Sequence, residues 1–310
     1  MRGKRAKGPL RRWVENLGSR LVTGLLFGAA RVLSWRRAQA LGRLAGGALF
    51  ALTRRRQRMA DANLQAAFGD RFSEADRRRL RMEVCRGICQ TALELFKLPS
   101  LSREQVRAVM TLEHPEHLQA ALDRGRGAII VTAHFGNWEL LGARIAAEGF
   151  PLSVIVRDAN DARTASIVNY SRRSAGVVVL PRDDLKGMLR ALRRNEVLGI
   201  VADQHAPAGL WLQFLGREAA SPRGPATLAL RTGAALVPCF SVREPDGRLR
   251  GWLEPPIVPE PGGDREAEVR DLTQRLNWII EEQIRRYPAQ WLWLHNRWKP
   301  RPQEVEHATA

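Results

Sequence analysis

From residue 128 onward the chain alternates short apolar runs with longer stretches of mixed character. The runs lie at 128–133, 152–157, 177–181, 197–202, 235–242 and 249–254, rich in Val, Ile and Leu. Their length and composition predict buried strands. Between and after them, 137–148, 161–175, 184–194, 225–232 and 265–286 carry apolar residues at helical spacing and predict helices. Such alternation predicts an α/β fold, a mostly parallel central sheet flanked by helices. Upstream, 59–98 predicts helix, with a break at Gly69-Asp70 and a stop at Pro99. Ser102 opens a short helix with Glu104 and Gln105 in its first turn, and Pro115 opens another that ends at Gly125. The segment 255–263 is rich in Pro and Gly and predicts a loop.

Residues 1–58 follow a different pattern. They hold fifteen Lys or Arg and one acid, Glu15, an excess of +14 within a total of +18. Leu21, Val22, Leu25, Leu26, Phe27, Trp35, Leu41, Leu44 and Phe50 are interleaved with those charges. Basic residues mixed with apolar ones suit a helical, membrane-associated segment on anionic lipid. The longest clean run, Leu21 to Ala30, falls short of the ~20 residues needed to span a bilayer. One or two interfacial helices are expected, with a short tilted span as the alternative, and the basic flank favours the cytoplasmic side. This gives three parts: a basic, apolar membrane anchor at 1–58, a main domain at 59–300 and a polar, flexible tail at 301–310. A basic protein that binds membrane or nucleic acid without catalysis is the reading from another class. Zinc-finger spacing and aromatic strand signatures are missing, so nucleic acid is not expected as a partner.

Three cysteines, Cys85, Cys89 and Cys239, are too few and too scattered for a metal site and read as small core residues. Nucleophile elbow, phosphate loop and dinucleotide fingerprint are absent from the sequence. Neither metal nor cofactor is expected.

The informative cluster is His134-Phe135-Gly136-Asn137-Trp138-Glu139, between a predicted strand and a predicted helix. Asn137 suits the N-cap, His134 falls on the turn and Glu139 in the first helical turn. Residues five apart do not share a helical face, but a strand-to-helix turn can bring this pair together. A histidine held by a carboxylate acts as a general base toward a hydroxyl. Two more polar groups end predicted strands: Arg157 after 152–156, and Asp203, followed by Gln204, after 197–202. Parallel strands gather their carboxyl ends along one edge, so His134, Glu139, Arg157 and Asp203 are expected to share a cleft.

His134-x4-Glu139 resembles the His-x4-Asp/Glu motif of glycerolipid acyltransferases. Its form here resembles the lipid A late acyltransferase family of lauroyl and myristoyl transferases. Ordered matches extend from about 60 to 300: Asn63-Leu64, Arg157, Ala202-Asp203-Gln204, Phe214-Leu215-Gly216-Arg217, Gly224-Pro225-Ala226, and the closing Gln290-Trp291-Leu292-Trp293-Leu294-His295-Asn296-Arg297-Trp298-Lys299. The resemblance implies a glycerol-phosphate-acyltransferase-like fold at the bacterial inner membrane, on its cytoplasmic face. It also implies acyl transfer from acyl carrier protein to a hydroxyl of a lipid A precursor. His134 would take the hydroxyl proton and Glu139 would hold the imidazole. Arg157, with N–H groups near Asn137, would stabilise the oxyanion or a substrate phosphate. Asp203, beside Gln204, would orient Arg157 or the acceptor. The alternative within the family is a phosphatidylinositol-mannoside-type acyltransferase using acyl-CoA.

Overall fold

The structure is a computed structural model that describes residues 23–156, 161–260 and 262–300. A seven-stranded sheet runs in the order β1 (Met110–Glu113), β9 (Leu249–Leu253), β8 (Ala235–Arg243), β2 (Ala128–Thr132), β5 (Val197–Val201), β3 (Leu152–Val156), β4 (Val178–Pro181). Every pairing is parallel except β8 with β9. The mostly parallel sheet flanked by helices matches the expectation from alternation. Strand β2 is buried along its whole length, which is why it reads as an unbroken apolar run. Its side chains alternate between two cores. Ala128 and Ile130 join one apolar cluster, and Ile129 and Val131 join another on the opposite face.

Three strands lie outside the sequence expectation. Edge strand β1 is four residues long and alternates in burial, too little for a signal against its helical neighbour, Arg103–Val109. A separate hairpin pairs β6 (Leu210–Phe214) with β7 (Arg217–Ser221). Its turn takes positive φ at both Leu215 (+51°) and Gly216 (+77°). Leucine is an unusual residue there, so the usual Asn-Gly hairpin signal is missing.

The helices follow their caps. Ser102 and Gln105 form a reciprocal capping box, and Asn137 accepts from the Leu140 N–H at 2.8 Å. The break near Gly69 separates Arg54–Phe68 from Glu74–Lys97.

The basic arm is seated on the domain. Helix Trp35–Leu52 lies against Glu74–Lys97 at Gly42 and Gly46. A Cβ at Gly42 would come within 2.7 Å of the Gln90 Cα, and one at Gly46 within 2.4 Å of the Arg86 Cα. Lys97 Nζ donates to the carbonyls of Ala30 and Leu33, closing the preceding helical stretch. Leu26, Phe27, Ala30, Trp35 and Leu41 join the same core as Ile130. The solvent side keeps Leu25, Val32, Leu44 and Leu52 exposed. Among the described residues, no helix is long and apolar enough to cross a membrane. Residues 1–22 of the arm and the 301–310 tail lie outside the described residues.

Candidate active site

Strand register brings the central pair together. Thr132 pairs with Val201 in the parallel β2/β5 ladder. His134 and Asp203 each follow two residues later, one strand apart, at the carboxyl edge. His134 Nδ1 lies 2.8 Å from Asp203 Oδ1, and the His134 backbone N–H donates to Oδ2 at 3.0 Å. Trp291 Nε1 donates to the same Oδ2 at 2.7 Å. With Asp203 as acceptor, the proton sits on Nδ1 and the Nε2 lone pair is free to take another. Gln204 Nε2 stands 3.4 Å from that nitrogen, and the Trp138 ring packs edge-on against the imidazole at 5.0 Å.

The electrostatics follow from burial and pairing. Burial disfavours a charged His134, but the Asp203 carboxylate outweighs it by charge and hydrogen bond, and the pKa rises above 6.5. Asp203 is 1% exposed. Burial favours its neutral form, yet the His134 charge and the donors around it hold the pKa below 3.8. Burial pushes the neighbouring His295 down to about 4, so its neutral Nε2 accepts from the His205 N–H at 3.2 Å.

The expected contact between Glu139 and the imidazole differs from the structure. The carboxylate holding His134 is Asp203. Glu139, in the first turn of helix Trp138–Ala147, is gripped by Arg172, with Nε at 2.9 Å and Nη2 at 2.5 Å, and by Trp138 Nε1 at 3.2 Å. The turn aims it toward helix Ala162–Ser174, which carries Arg172. It reaches His134 through space, raising its pKa, while Arg172 opposes that effect. Asn137 is the expected N-cap, but its fully buried side chain is committed to structure, with Nδ2 donating to Glu94 Oε2 at 2.6 Å. Its backbone N–H donates to Ser241 Oγ at 3.1 Å. Arg157 lies outside the described residues.

The loop is fixed from beneath by groups the sequence reading missed. Glu94, fully buried, receives both terminal nitrogens of Arg243 at 2.7 and 2.6 Å and the Gln39 amide at 2.8 Å. The signal was there: an acid inside the apolar run Ala92-Leu93-Glu94-Leu95-Phe96 needs a buried partner. Gly136 has φ +56°, and a Cβ there would fall 1.8 Å from the Ser241 carbonyl oxygen. The closing motif is the other brace. Gly136 N–H donates to the Gln290 carbonyl at 2.8 Å, and Leu292 N–H to the His134 carbonyl at 3.0 Å. Asn63 Nδ2 donates to the Trp293 and His295 carbonyls, and buried Arg297 donates to the Ala220 carbonyl and Ser221 Oγ, both at 2.7 Å. These tryptophans and polar groups are thus a scaffold for the histidine turn.

A cleft of about 490 Å³ opens beside His134 and Trp138. Its walls include Arg36 and Arg43 from the arm helix and Arg243 and Gln290 from the domain. The cysteines are poor nucleophiles. Cys85 and Cys239 are buried, and burial raises Cys89 to about 11 and Cys239 to about 12. The arrangement is a histidine held by a buried carboxylate at the wall of a cleft.

The chain is 31% identical to a phosphatidylinositol mannoside acyltransferase of Mycolicibacterium smegmatis, over 66% of its length and 67% of that protein's. It is 30% identical to the lipid A biosynthesis lauroyltransferase of Escherichia coli, over 81% and 82% of the two chains. The lipid A biosynthesis palmitoleoyltransferase of the same organism is 26% identical over 84% and 85%. The profile of bacterial lipid A biosynthesis acyltransferases matches residues 10–300. With that match over almost its whole length, the chain is an acyltransferase and belongs to the bacterial lipid A biosynthesis acyltransferase family.

Proposed function

We propose that the protein transfers a fatty acyl chain from an acyl carrier protein thioester to a hydroxyl of a lipid A precursor, at the cytoplasmic face of the bacterial inner membrane. The observation carrying the mechanism is the 2.8 Å contact of His134 Nδ1 with Asp203, which leaves Nε2 as the base. Nε2 takes the proton of the acceptor hydroxyl as its oxygen attacks the thioester carbonyl. The tetrahedral intermediate collapses, the C–S bond breaks, and the imidazolium returns the proton to the departing thiolate. An ester and a thiol are the products. Asp203 stabilises the imidazolium. Glu139 acts as a positioning residue, through Arg172 and Trp138. Gln204 and Arg157 supply donors to the oxyanion or to a substrate phosphate.

The arm, residues 1–58, is the membrane-contacting part of this reading, and 59–300 the catalytic domain. Exposed Leu25, Val32, Leu44 and Leu52 stand among Arg31, Arg36, Arg37 and Arg43. That mixture suits an anionic interface. Arg36 and Arg43 also line the cleft, so a lipid acceptor reaches His134 from the arm side.

A second reading is transfer from acyl-CoA to a phosphatidylinositol mannoside, favoured by the 31% identity to the mycobacterial relative. Expression in a strain lacking its own late acyltransferases, followed by mass spectrometry of lipid A, separates the two. One added acyl chain is expected. Unchanged lipid A, with acyl transfer to phosphatidylinositol mannoside by the purified protein, would overturn the first reading in favour of the second.

A further inference from the structure

Helix Leu185–Arg193 and the turn before it carry a line of exposed bases: Arg182, Lys186, Arg190 and Arg193. Lys186, Arg190 and Arg193, at spacings of four and three residues, share one side of the helix, and exposed Arg182 lies in the turn that leads into it. Among the described residues, none of the four is ion-paired. Of the two neighbouring acids, Asp184 is used as the N-cap, accepting from the Gly187 N–H at 2.8 Å, and Asp183 is exposed. The helix dipole accounts for cations in the last turn. It does not account for Lys186, which stands in the first turn, where a cation is disfavoured.

The position of this stripe selects its partner. Met188 and Leu192, on the buried side of the same helix, pack with Ile129, Val131 and Leu198. The arm helices pack on the opposite face of the sheet, with Ile130 and Val237. A lipid surface under the arm therefore leaves the stripe facing the aqueous side. The surroundings also differ in character. The arm exposes four large apolar residues among its charges, whereas Leu185 is the one exposed large apolar residue within Leu185–Arg193. That composition suits an acidic protein surface more than a lipid interface. The upper end of the stripe is close to the chemistry. Arg182 directly follows β4, at the carboxyl edge that holds His134. Between β2 and β4 lie three strand spacings, about 14 Å, a gap that a flexible thioester arm can bridge.

We propose that the stripe Arg182, Lys186, Arg190, Arg193 docks an acidic, helical carrier protein that presents the acyl thioester to His134. The donor and the lipid acceptor then approach from opposite faces of the sheet. This rests on the carrier-protein reading of the donor given above.

The test uses the full chain on anionic vesicles holding the lipid acceptor, and compares it with the variant Arg182→Gln, Lys186→Gln, Arg190→Gln, Arg193→Gln. The side chains are exposed and glutamine is a good helix former, so the fold is expected to persist. With acylated carrier protein, KM should rise roughly tenfold while kcat stays close to wild type. With acyl-CoA, any activity present should be the same in both proteins, and vesicle binding should not change. Restoring the charges with Lys at all four positions should recover the carrier KM. Added salt should raise the carrier KM of the wild type more than that of the variant. An unchanged carrier KM overturns the docking assignment and leaves the donor reading standing. Weaker vesicle binding by the variant overturns it in favour of a lipid contact. A wild-type protein that transfers from acyl-CoA and not from the carrier overturns the donor reading, and the docking with it.

Discussion

At the carboxyl edge of the sheet, Asp203 is almost fully buried, and its oxygens receive the His134 ring, the His134 backbone N–H and the Trp291 indole. On the arm, Arg54, Arg55, Arg56 and Arg58 are exposed and, among the described residues, carry no ion pair. Burial makes each polar contact at the edge costly to lose, because an unpaired group there cannot turn to water. Exposure makes each arm charge individually weak and screened by salt. In the proposed function the edge holds one geometry rigidly for chemistry, and the arm meets a lipid surface through many interchangeable contacts. The cleft beside His134 is where the two regions meet, since Arg36 and Arg43 of the arm form part of its wall.

Breaking the buried side of this contrast should give the largest effect. His134→Ala should lower turnover by about a thousandfold or more while leaving the thermal transition near wild type. Wild-type turnover by the folded variant would remove His134 from the mechanism. Asp203→Asn should cost somewhat less, about a hundredfold in kcat, and Glu139→Gln less again. An equal loss from Glu139→Gln would mean that it bears on the reaction as directly as Asp203.

The pH profile sharpens the same point. The base must be neutral, and the carboxylate, against burial, raises the His134 pKa. The acidic limb of kcat/KM should therefore lie above pH 6.5 in the wild type. In Asp203→Asn it should fall, because burial then acts without the compensating charge. A limb that stays in place would mean that another group titrates there. For stability the sign runs the other way. The raised pKa of His134 contributes fully below about 6.5, and that contribution fades as pH rises through the folded value.

Beneath the loop, Arg243→Gln leaves Glu94 buried without its cation. A loss of about 3–5 kcal/mol in unfolding free energy is expected, read by denaturant titration. A loss under about 1 kcal/mol would show that this pair does not brace the turn. On the exposed side, replacing Arg54, Arg55, Arg56 and Arg58 with Gln should weaken binding to anionic vesicles by up to ~1 kcal/mol per charge. High salt should produce the same loss in the wild type, and vesicle affinity unmoved by either treatment would refute an electrostatic anchor. The smallest effect belongs to the cysteines. A triple Cys→Ser variant should keep most activity, and incubation with acyl donor alone should add no acyl mass. A stoichiometric adduct discharged by acceptor would establish a covalent intermediate and overturn direct attack.

The sequence by itself determined six of the seven strands of the central sheet, the helices between them, the capped turn at Asn137 and the presence of a histidine with nearby carboxylates. Periodicity and capping are local, so a reader of the chain can see them. It also showed the basic, apolar character of the arm, which is a matter of composition. The pairing of charges was decided only by the tertiary structure. Glu139 stands five residues from His134 and Asp203 sixty-nine, yet the distant one holds the imidazole, because β2 lies beside β5 in register. The nearer one meets Arg172, brought up by a helix on the same side of the sheet. Glu94, Arg243 and the closing tryptophans were likewise visible as residues and invisible as a scaffold. Sequence spacing fixes which groups share an element, but strand order and register decide which elements face each other, and with them which carboxylate holds the imidazole.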